Sequence, residues 1–439
     1  MPKKKKKKSW KERQRERQIR QRRTQEVYQI QREREAERKP RKWPKGKILG
    51  AICLLALIFG AYVTWQYTKP SVILEEPPPL TPTGGAIYIQ ADGSVDPSTA
   101  SILNAGNIYY TFTADIHDLI VIERDNIVVD GANYTLQGTG GSDSKGIDLT
   151  GRSNVTITNI KIKDFDYGVY LYLASHSVLS QNDLTNNNCS IYFEYSSNNT
   201  LSGNDLTNNQ YGIYFEYSSN NTLSGNGITN NQVGIELSES SNNVISGNRF
   251  FNCGLLVRQS YGNVVVDSLV NDKPLVYLEG VSDYAVDNAG QVILVNCANI
   301  LVENLNLSNA SIGVQLLATN NTQITNNNIT NNNWYGIYLY SSSNNTISGN
   351  NITNNQVGIE LSESSNNRNY HNNFIDNAEQ AYSYDSTNVW DDGYPSGGNY
   401  WSDYEERYPD ADELDGSGIW NTPYVIDENN QDNYPLMNL

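Results

Sequence analysis

The stretch Gly212–Asn231, GIYFEYSSNNTLSGNGITNN, decides the fold of this chain. Apolar and polar residues alternate over a few positions, a turn of Asn, Ser and Gly follows, and the alternation then resumes. A period of two predicts short β-strands. The pattern itself recurs, because the turn residues Asn199, Asn221 and Asn243 are spaced by 22 and 22 positions.

Short strands that repeat at this period cannot bury their apolar sides singly, whereas coils stacked on one another can. The repeat therefore predicts an all-β fold, a parallel β-helix with one coil for each repeat and about 4.8 Å between coils. The side chains expected to point inward and stack are Ile191, Phe193, Leu201 and Leu206 in one coil and Ile213, Phe215, Leu223 and Ile228 in the next. We expect Asn198, Asn220 and Asn242 to pass amide hydrogen bonds from coil to coil.

The segment TNNQVGIELSESSNN occurs twice, at residues 229–243 and 353–367. The two copies are 124 positions apart, which is not a multiple of 22, so an irregular insertion is expected at residues 270–300. The predicted organisation is an N-terminal cap with the first strands at 86–144, β-helix repeats at 145–385 and a C-terminal cap at 386–439.

The N-terminal part of the chain has a different composition. Residues 1–47 carry 21 Lys and Arg against 6 Glu, and the uncharged segment ILGAICLLALIFGAYVTW follows at Ile48–Trp65. This segment predicts a transmembrane helix at 48–67, with the basic arm in the cytoplasm and the repeats outside the membrane. A cleaved signal peptide is the alternative. A proline-rich linker is expected at 68–85.

The basic arm at residues 1–47 has two interpretations. Binding to anionic lipid or to RNA would suit its charge, whereas the positive-inside rule already requires basic residues at this end of a membrane span. The second interpretation, in which the arm only fixes orientation, is the preferred one.

Several segments resemble the NosD-like right-handed β-helix family. They are the Asn/Gly repeats, NIVVDGANYTLQG at Asn126–Gly138, NDKPLVYLEG at Asn271–Gly280 and the ending that begins GNYWSDYEERY at Gly398. The resemblance covers about residues 86–439 and implies a right-handed coil, a periplasmic or cell-surface location and a grouping with carbohydrate-binding and sugar-hydrolase domains. The family also implies copper. The motif specifies fold strongly and chemistry weakly.

The metal ligands in this sequence argue against copper. The chain has 3 His and 2 Met, and the His do not cluster: His176 and His371 occupy different columns of the repeat, and His117 lies before the repeats. Cys189 and Cys253 stand three coils apart, too far for a disulfide or a shared metal. Calcium is a separate hypothesis for Asp410, Asp412 and Asp415, and a turn-rich end cap is the preferred alternative for that segment.

An outward column of aromatic residues suggests glycan binding, because flat rings beside carboxylates suit the apolar face and the hydroxyls of a pyranose. The candidate glycan-binding residues are Tyr170, Tyr172, Tyr192, Glu194, Tyr214, Glu216, Tyr338 and Tyr340. The competing interpretation is cross-strand stacking that only stabilises the sheet.

A second outward column offers acid and base groups. Lys161, Asp183, Asp205 and Arg249 are the candidate catalytic residues of a polysaccharide hydrolase, lyase or epimerase. The competing interpretation is a solvated edge in which Lys161 neutralises Asp183.

Charge limits the partners of the exterior part. Residues 48–439 carry 11 basic against 42 acidic side chains, which disfavours nucleic acid and polyanionic glycans. The frequent N-glycosylation sequons agree with an exterior location and with a glycoprotein. We therefore expect a single-pass membrane protein whose exterior β-helix binds a cell-surface polysaccharide or glycoprotein without turnover.

Overall fold

The computed structural model describes residues 85–439. The predicted cytoplasmic arm, the predicted transmembrane helix and all but the last residue of the predicted linker lie outside the described residues. Within residues 85–439, no helix is long and apolar enough to cross a membrane.

The described chain is almost entirely short strands, as the period-two pattern predicts. In chain order the first strands are β1 (Ala86–Ile89), β2 (Val95–Asp96), β3 (Ile102–Ala105), β4 (Tyr109–Phe112), β5 (Leu119–Ile122), β6 (Ile127–Asp130), β7 (Thr135–Gln137), β8 (Lys145–Asp148), β9 (Val155–Thr158), β10 (Lys161–Lys163), β11 (Tyr167–Tyr172), β12 (Val178–Ser180), β13 (Asp183–Thr185), β14 (Cys189–Glu194), β15 (Thr200–Ser202), β16 (Asp205–Thr207), β17 (Tyr211–Glu216), β18 (Thr222–Ser224), β19 (Gly227–Thr229), β20 (Val233–Ser238), β21 (Val244–Ser246), β22 (Arg249–Phe251), β23 (Leu255–Arg258), β24 (Val264–Val266) and β25 (Leu269–Val270).

The remaining elements follow the sharp turn after Val270. They are β26 (Lys273–Glu279), β27 (Ser282–Val286), β28 (Gln291–Val295), β29 (Ala298–Glu303), β30 (Asn306–Ser308), β31 (Ile312–Leu317), β32 (Gln323–Thr325), β33 (Asn328–Thr330), β34 (Tyr335–Tyr340), β35 (Thr346–Ser348), β36 (Asn351–Thr353), β37 (Val357–Ser362), β38 (Arg368–Tyr370), β39 (Asn373–Ile375), β40 (Glu379–Tyr384), β41 (Tyr400–Trp401), the helix α1 (Tyr404–Arg407), β42 (Tyr424–Asp427) and β43 (Asn430–Asp432).

Strands up to β25 form a first stack of coils with three faces. The face that carries the tyrosine column, called the tyrosine sheet, has the order β2-β1-β5-β8-β11-β14-β17-β20-β23. A second face runs β24-β21-β18-β15-β12-β9-β6-β4-β3, and the third runs from β25 back to β7. Coils pair in parallel, so the predicted parallel β-helix is confirmed.

The predicted inward columns are also confirmed. Ile191 pairs with Ile213 and Phe193 with Phe215, while Leu201 pairs with Leu223. All of these side chains are fully buried. The Phe193 and Phe215 rings stack with centroids 4.4 Å apart, so repetition at the period of the coil places like side chains on one another.

The prediction for the asparagine ladder was wrong by one position. The ladder is formed by Asn199, Asn221 and Asn243, which are at most 1% exposed. The Asn199 backbone N–H donates to Asn221 Oδ1 at 2.8 Å, and the Asn221 N–H donates to Asn243 Oδ1 at 2.8 Å. The preceding residues, such as Asn220 with φ 60°, instead adopt the left-handed turn conformation that asparagine tolerates, which directs their side chains to solvent.

A hairpin lies at the start of the predicted irregular insertion. β25 pairs antiparallel with β26, and β26 then starts a second stack of parallel coils. Its faces run β26-β28-β31-β34-β37-β40, β27-β29-β32-β35-β38 and β30-β33-β36-β39-β41. The third face of the first stack and the first face of the second therefore join into one 13-stranded sheet.

The second stack covers the open end of the first. Gln315 Oε1 accepts a hydrogen bond from the Val257 N–H at 3.1 Å, and the Gln315 amide donates to the Val257 carbonyl. Gln291 makes the same two contacts with Leu255. The outward side chains of Ile293 and Leu317 join the core of the first stack. We call this junction, where β28 and β31 cover the edge strand β23, the elbow.

The C-terminal segment covers the open end of the second stack. Trp401 stacks on Phe374 with centroids 4.5 Å apart and on Tyr424 at 4.0 Å. Asp432 accepts hydrogen bonds from the Trp401 indole at 3.0 Å and from the Asn399 backbone at 2.7 Å. Protein thereby closes this end of the second core.

Candidate functional site

The predicted tyrosine column exists on the outer face of the tyrosine sheet. Tyr170, Tyr192 and Tyr214 occupy the same position in consecutive strands. Their rings are nearly parallel, at 6° and 7°, with centroids 5.5 and 5.4 Å apart. Because Tyr192 lies between two rings, it presents mainly its edge and hydroxyl, whereas Tyr214 has a stacked ring on one side only and faces the Glu236 strand on the other. The stacking also stabilises the sheet.

The neighbouring glutamates hold these tyrosines. The Tyr170 hydroxyl donates to Glu194 Oε2 at 3.0 Å, and the Tyr192 hydroxyl donates to Glu216 Oε2 in the next coil. Burial, with the carboxylate as a further cause, raises the pKa of both hydroxyls, which therefore stay protonated as donors. Glu194 and Glu216 thus fix the positions of the tyrosine hydroxyls.

A notch interrupts a second aromatic column beside this one. Tyr167, Cys189 and Tyr211 follow one another in register, and Cys189 is the small member between two tyrosines. The Tyr167 ring lies 5.1 Å from that of Tyr192, and the Tyr211 ring lies 5.5 Å from that of Tyr214, centroid to centroid. The small Cys189 side chain leaves a recess with aromatic walls.

The elbow closes the other side of this recess. Trp334 comes from the second stack, and Arg258 from β23 lies under it, with the guanidinium carbon 5.3 Å from the Trp334 ring centroid. Arg258 Nε donates to Glu236 Oε1 at 2.9 Å. The result is a cleft of about 350 Å³, lined by Tyr167, Asn188, Cys189, Tyr192, Tyr211, Tyr214, Glu236, Arg258 and Trp334, which we call the elbow cleft.

Glu236 has the most unusual environment in the elbow cleft. It is only 3% exposed, and its Oε2 has no hydrogen-bond partner among the described residues. Burial raises the pKa of the Glu236 carboxyl, and the Arg258 guanidinium opposes that rise. A buried acceptor without a partner is rare in folded proteins and suggests a group supplied from outside.

The remaining predicted glycan-binding residues have different surroundings. Tyr172 is half-buried and meets the Tyr195 ring edge-on at 6.3 Å. Tyr338 is 4% exposed, because it lies in the elbow against Arg258 instead of facing solvent. Tyr340 accepts a hydrogen bond from Gln259 at 2.8 Å across the elbow. Tyr338 and Tyr340 thus line a second hollow, of about 230 Å³, beside the first.

The predicted column of acid and base groups lies on the third face of the first stack. Lys161, Asp183 and Asp205 pair in consecutive strands and are exposed. Burial raises the pKa of the Asp183 carboxyl, as does the nearby Asp205, while Lys161 lowers it. Arg249, two strands further, is paired with Asp272 at 2.8 Å. These groups form a line along the sheet, away from the aromatic residues of the elbow cleft.

The candidate calcium ligands lie in a loop of the C-terminal segment. Within residues 85–439, no group of three or more His, Cys, Asp or Glu could hold a metal ion, so Asp410, Asp412 and Asp415 do not form one. Backbone bonds close the loop instead: the Asn421 N–H donates to the Asp412 carbonyl at 2.9 Å. Asp415 accepts a hydrogen bond from the Tyr394 hydroxyl at 2.8 Å. Short spacing between acids in sequence does not place their carboxylates around one point.

Sequence reasoning missed several cleft residues. The 22-residue spacing could have identified the column formed by Tyr167, Cys189 and Tyr211. It could not have identified the contact between Trp334 and Arg258, because these residues belong to different stacks and are not related by the repeat.

Fold and cleft together define a β-helix protein with an aromatic recess. A family profile described as periplasmic copper-binding protein (NosD) matches residues 116–273 and 277–406, and the chain belongs to this family. No curated protein matches the chain in sequence.

Solved structures similar to this chain are β-helix proteins. The A-module of the mannuronan C-5 epimerase AlgE6 of Azotobacter vinelandii is 16% identical over 70% of this chain and 90% of its own, with a TM-score of 0.29. An alginate lyase from Paenibacillus sp. str. FPU-7 is 13% identical over 54% and 89%, with a TM-score of 0.29. A tailspike protein of E. coli bacteriophage HK620 is 11% identical over 64% and 66%, with a TM-score of 0.32.

The described residues of this chain do not fit the copper that the family description names. Copper needs imidazole, thiolate or thioether ligands that converge. His176 and His371 occupy turn positions with φ 55° and 54°, and no three potential ligands among His, Cys, Asp and Glu converge within residues 85–439. Burial raises the pKa of the Cys253 thiol to about 12 and also raises that of Cys189, which keeps both thiols protonated.

Proposed function

We propose that this chain is a membrane-anchored extracytoplasmic β-helix protein that binds glycans of the cell surface in the elbow cleft, without catalytic turnover. The observation that carries the proposal is the elbow cleft itself: an open recess with tyrosine and tryptophan walls beside a buried carboxylate. Aromatic walls bury the apolar face of a pyranose, and a few fixed polar groups orient its hydroxyls.

Charge supports a neutral or aminated glycan over an acidic one. Residues 85–439 carry 40 acidic and 10 basic side chains, so a polyanion is repelled at long range. Inside the cleft, the Arg258 charge is already paired with Glu236 at 2.9 Å. An acidic sugar would therefore find no free cation in the cleft.

The membrane anchor and the exterior location rest on the sequence of residues 1–67 and on the family. The apolar segment has the length of one membrane span, and the basic excess lies on the side that should face the cytoplasm. The family is described as periplasmic, which agrees with display of the β-helix outside the cytoplasm.

A glycan array probed with the detergent-solubilised full chain tests binding. We expect retention of neutral or aminated glycans and a loss of about tenfold or more in Tyr192→Ala with Tyr214→Ala, since each ring contributes on the order of 1 kcal/mol. The matched control is Tyr195→Asn with Tyr217→Asn. These two rings stack at 5.0 Å in the same coils but are 44% and 41% exposed outside the cleft, and Asn tolerates their positive φ.

Two outcomes would count against the proposal. If the wild-type chain retains no glycan, or if the control pair weakens binding as much as the cleft pair, the elbow cleft is not the binding site. Analysis of the bound glycan for new reducing ends, unsaturated sugars or epimers tests turnover. Products that disappear in Asp205→Asn would assign the chain to the polysaccharide-acting enzymes instead.

A further inference from the structure

We propose that the elbow cleft selects a sugar with a free amino group, whose ammonium binds the unpaired oxygen of Glu236 between the aromatic walls. This inference rests on the glycan binding proposed above and names the class of sugar.

The first step concerns the Glu236 carboxylate. One oxygen accepts a hydrogen bond from Arg258 at 2.9 Å, while Oε2 has no partner although the residue is only 3% exposed. Such an oxygen accepts hydrogen bonds and donates none, so a ligand that reaches it would supply a donor. A hydroxyl or an ammonium would meet this requirement.

The second step concerns the rings, which favour the ammonium over the hydroxyl. Aromatic faces attract cations, and cations of the protein already lie over one ring of the tyrosine column outside the cleft and over one ring of the cleft itself. The Lys145 ammonium nitrogen lies 3.6 Å from the Tyr170 ring centroid, and the Arg258 guanidinium carbon lies 5.3 Å from that of Trp334. A ligand ammonium next to Glu236 would find the same kind of surface in Tyr211 and Tyr214.

The third step concerns net charge. Among the nine described residues that line the cleft, Arg258 is the one cation and Glu236 the one carboxylate, so the cleft has no net charge, while the acidic surface around it attracts a cation at long range. The second carboxylate oxygen can still accept a charge-assisted hydrogen bond, which is shorter and stronger than a neutral one. N-acetylation removes the charge and adds bulk at this point, so the acetylated sugar should bind more weakly.

The test compares two oligosaccharides of equal length on the full chain by isothermal titration calorimetry, one of glucosamine and one of N-acetylglucosamine. We expect the wild-type chain to bind the glucosamine oligomer at least tenfold more tightly. Glu236→Gln should abolish that preference. The matched control is Glu360→Gln, because Glu360 occupies the same position in the second copy of the fifteen-residue segment and does not line the cleft.

Each outcome decides the inference. If the wild-type chain binds both oligomers with equal affinity, the amine preference is wrong but glycan binding is not contradicted. If the chain binds neither oligomer and no glycan of the array, the proposed function is wrong as well. Binding of tri-lysine as tight as that of the glucosamine oligomer overturns the sugar as ligand. Since the two oligomers are compared on one folded protein, the result does not depend on how well Glu236→Gln folds, which its circular dichroism checks.

Discussion

At the scale of single residues, adjacent asparagines in each turn have opposite roles. Asn220 is exposed with φ 60°, while Asn221 is fully buried and bonded to three coils. Asn221 Oδ1 accepts the Asn199 N–H, and its amide nitrogen donates to the Ser196 carbonyl at 3.1 Å. The buried member of each pair satisfies backbone groups that no strand reaches.

We therefore predict different costs for the two neighbours. Asn221→Ala leaves the buried Asn199 N–H and the Ser196 carbonyl unpaired and should lower the free energy of unfolding by about 3 kcal/mol. Asn220→Ala should cost about 1 kcal/mol for its left-handed backbone, and Asn220→Gly should be close to neutral. Urea titrations of the full chain, produced without glycosylation, measure the free energy of unfolding of the three variants. If Asn220→Ala and Asn221→Ala lower it equally, the asparagine ladder does not stabilise the coil.

At the scale of elements, the elbow protects an edge strand with side chains. β23 ends the tyrosine sheet, and an uncovered edge invites pairing with another chain. The side-chain amides of Gln291 and Gln315 each offer one donor and one acceptor to β23, as a neighbouring strand would. Two glutamines from successive coils therefore replace the missing strand.

Gln315→Leu should open this edge. The substitution keeps the size of the side chain but leaves the Val257 N–H and carbonyl unpaired, so we expect a loss of about 2–4 kcal/mol in the free energy of unfolding. Amide hydrogen exchange of Leu255–Arg258 should become faster than in the wild-type chain. Gln323→Leu, on the exposed face of β32, is the control and should leave the exchange of Leu255–Arg258 unchanged. If Gln315→Leu also leaves that exchange unchanged, Gln315 does not protect the edge strand.

The elbow also shows where prediction from sequence ends. The segments 229–243 and 353–367 are identical, and strand position and inward columns followed correctly from the 22-residue period. Their burial nevertheless differs, since Glu236 is buried and Glu360 is half-buried. Gln232 and Gln356, the same residue of each copy, come within 3.5 Å across 124 positions. Contacts between the two stacks follow no repeat. The 22-residue period therefore could not predict that Trp334 forms a wall of the cleft.

At the scale of the whole molecule, two different closures protect the ends of the cores. The outer face of the second stack covers the first, whereas a separate aromatic cap covers the second. Repeat proteins need such caps because their terminal coils would otherwise expose apolar surface. The cap depends on Asp432, a fully buried carboxyl that receives N–H groups from Asn399, Trp401 and Tyr434.

Asp432 should make the stability of the cap depend on pH. Burial raises its pKa to about 7 from 3.8, although the N–H donors oppose the rise. The folded chain then holds a proton that the unfolded chain releases. The contribution of Asp432 to the free energy of unfolding, on the order of a few kcal/mol, is therefore full below about pH 4 and is lost as the pH rises towards about 7.

Asp432→Asn removes the titration, so the variant should be most destabilised relative to wild type at low pH and less so near pH 8. Thermal unfolding midpoints of the wild type and of Asp432→Asn across this pH range measure the difference, and the exposed Glu428→Gln is the control for a lost charge. If the difference between the two midpoints widens as the pH rises, the ionised carboxylate, held by its N–H donors, is the form that stabilises the cap.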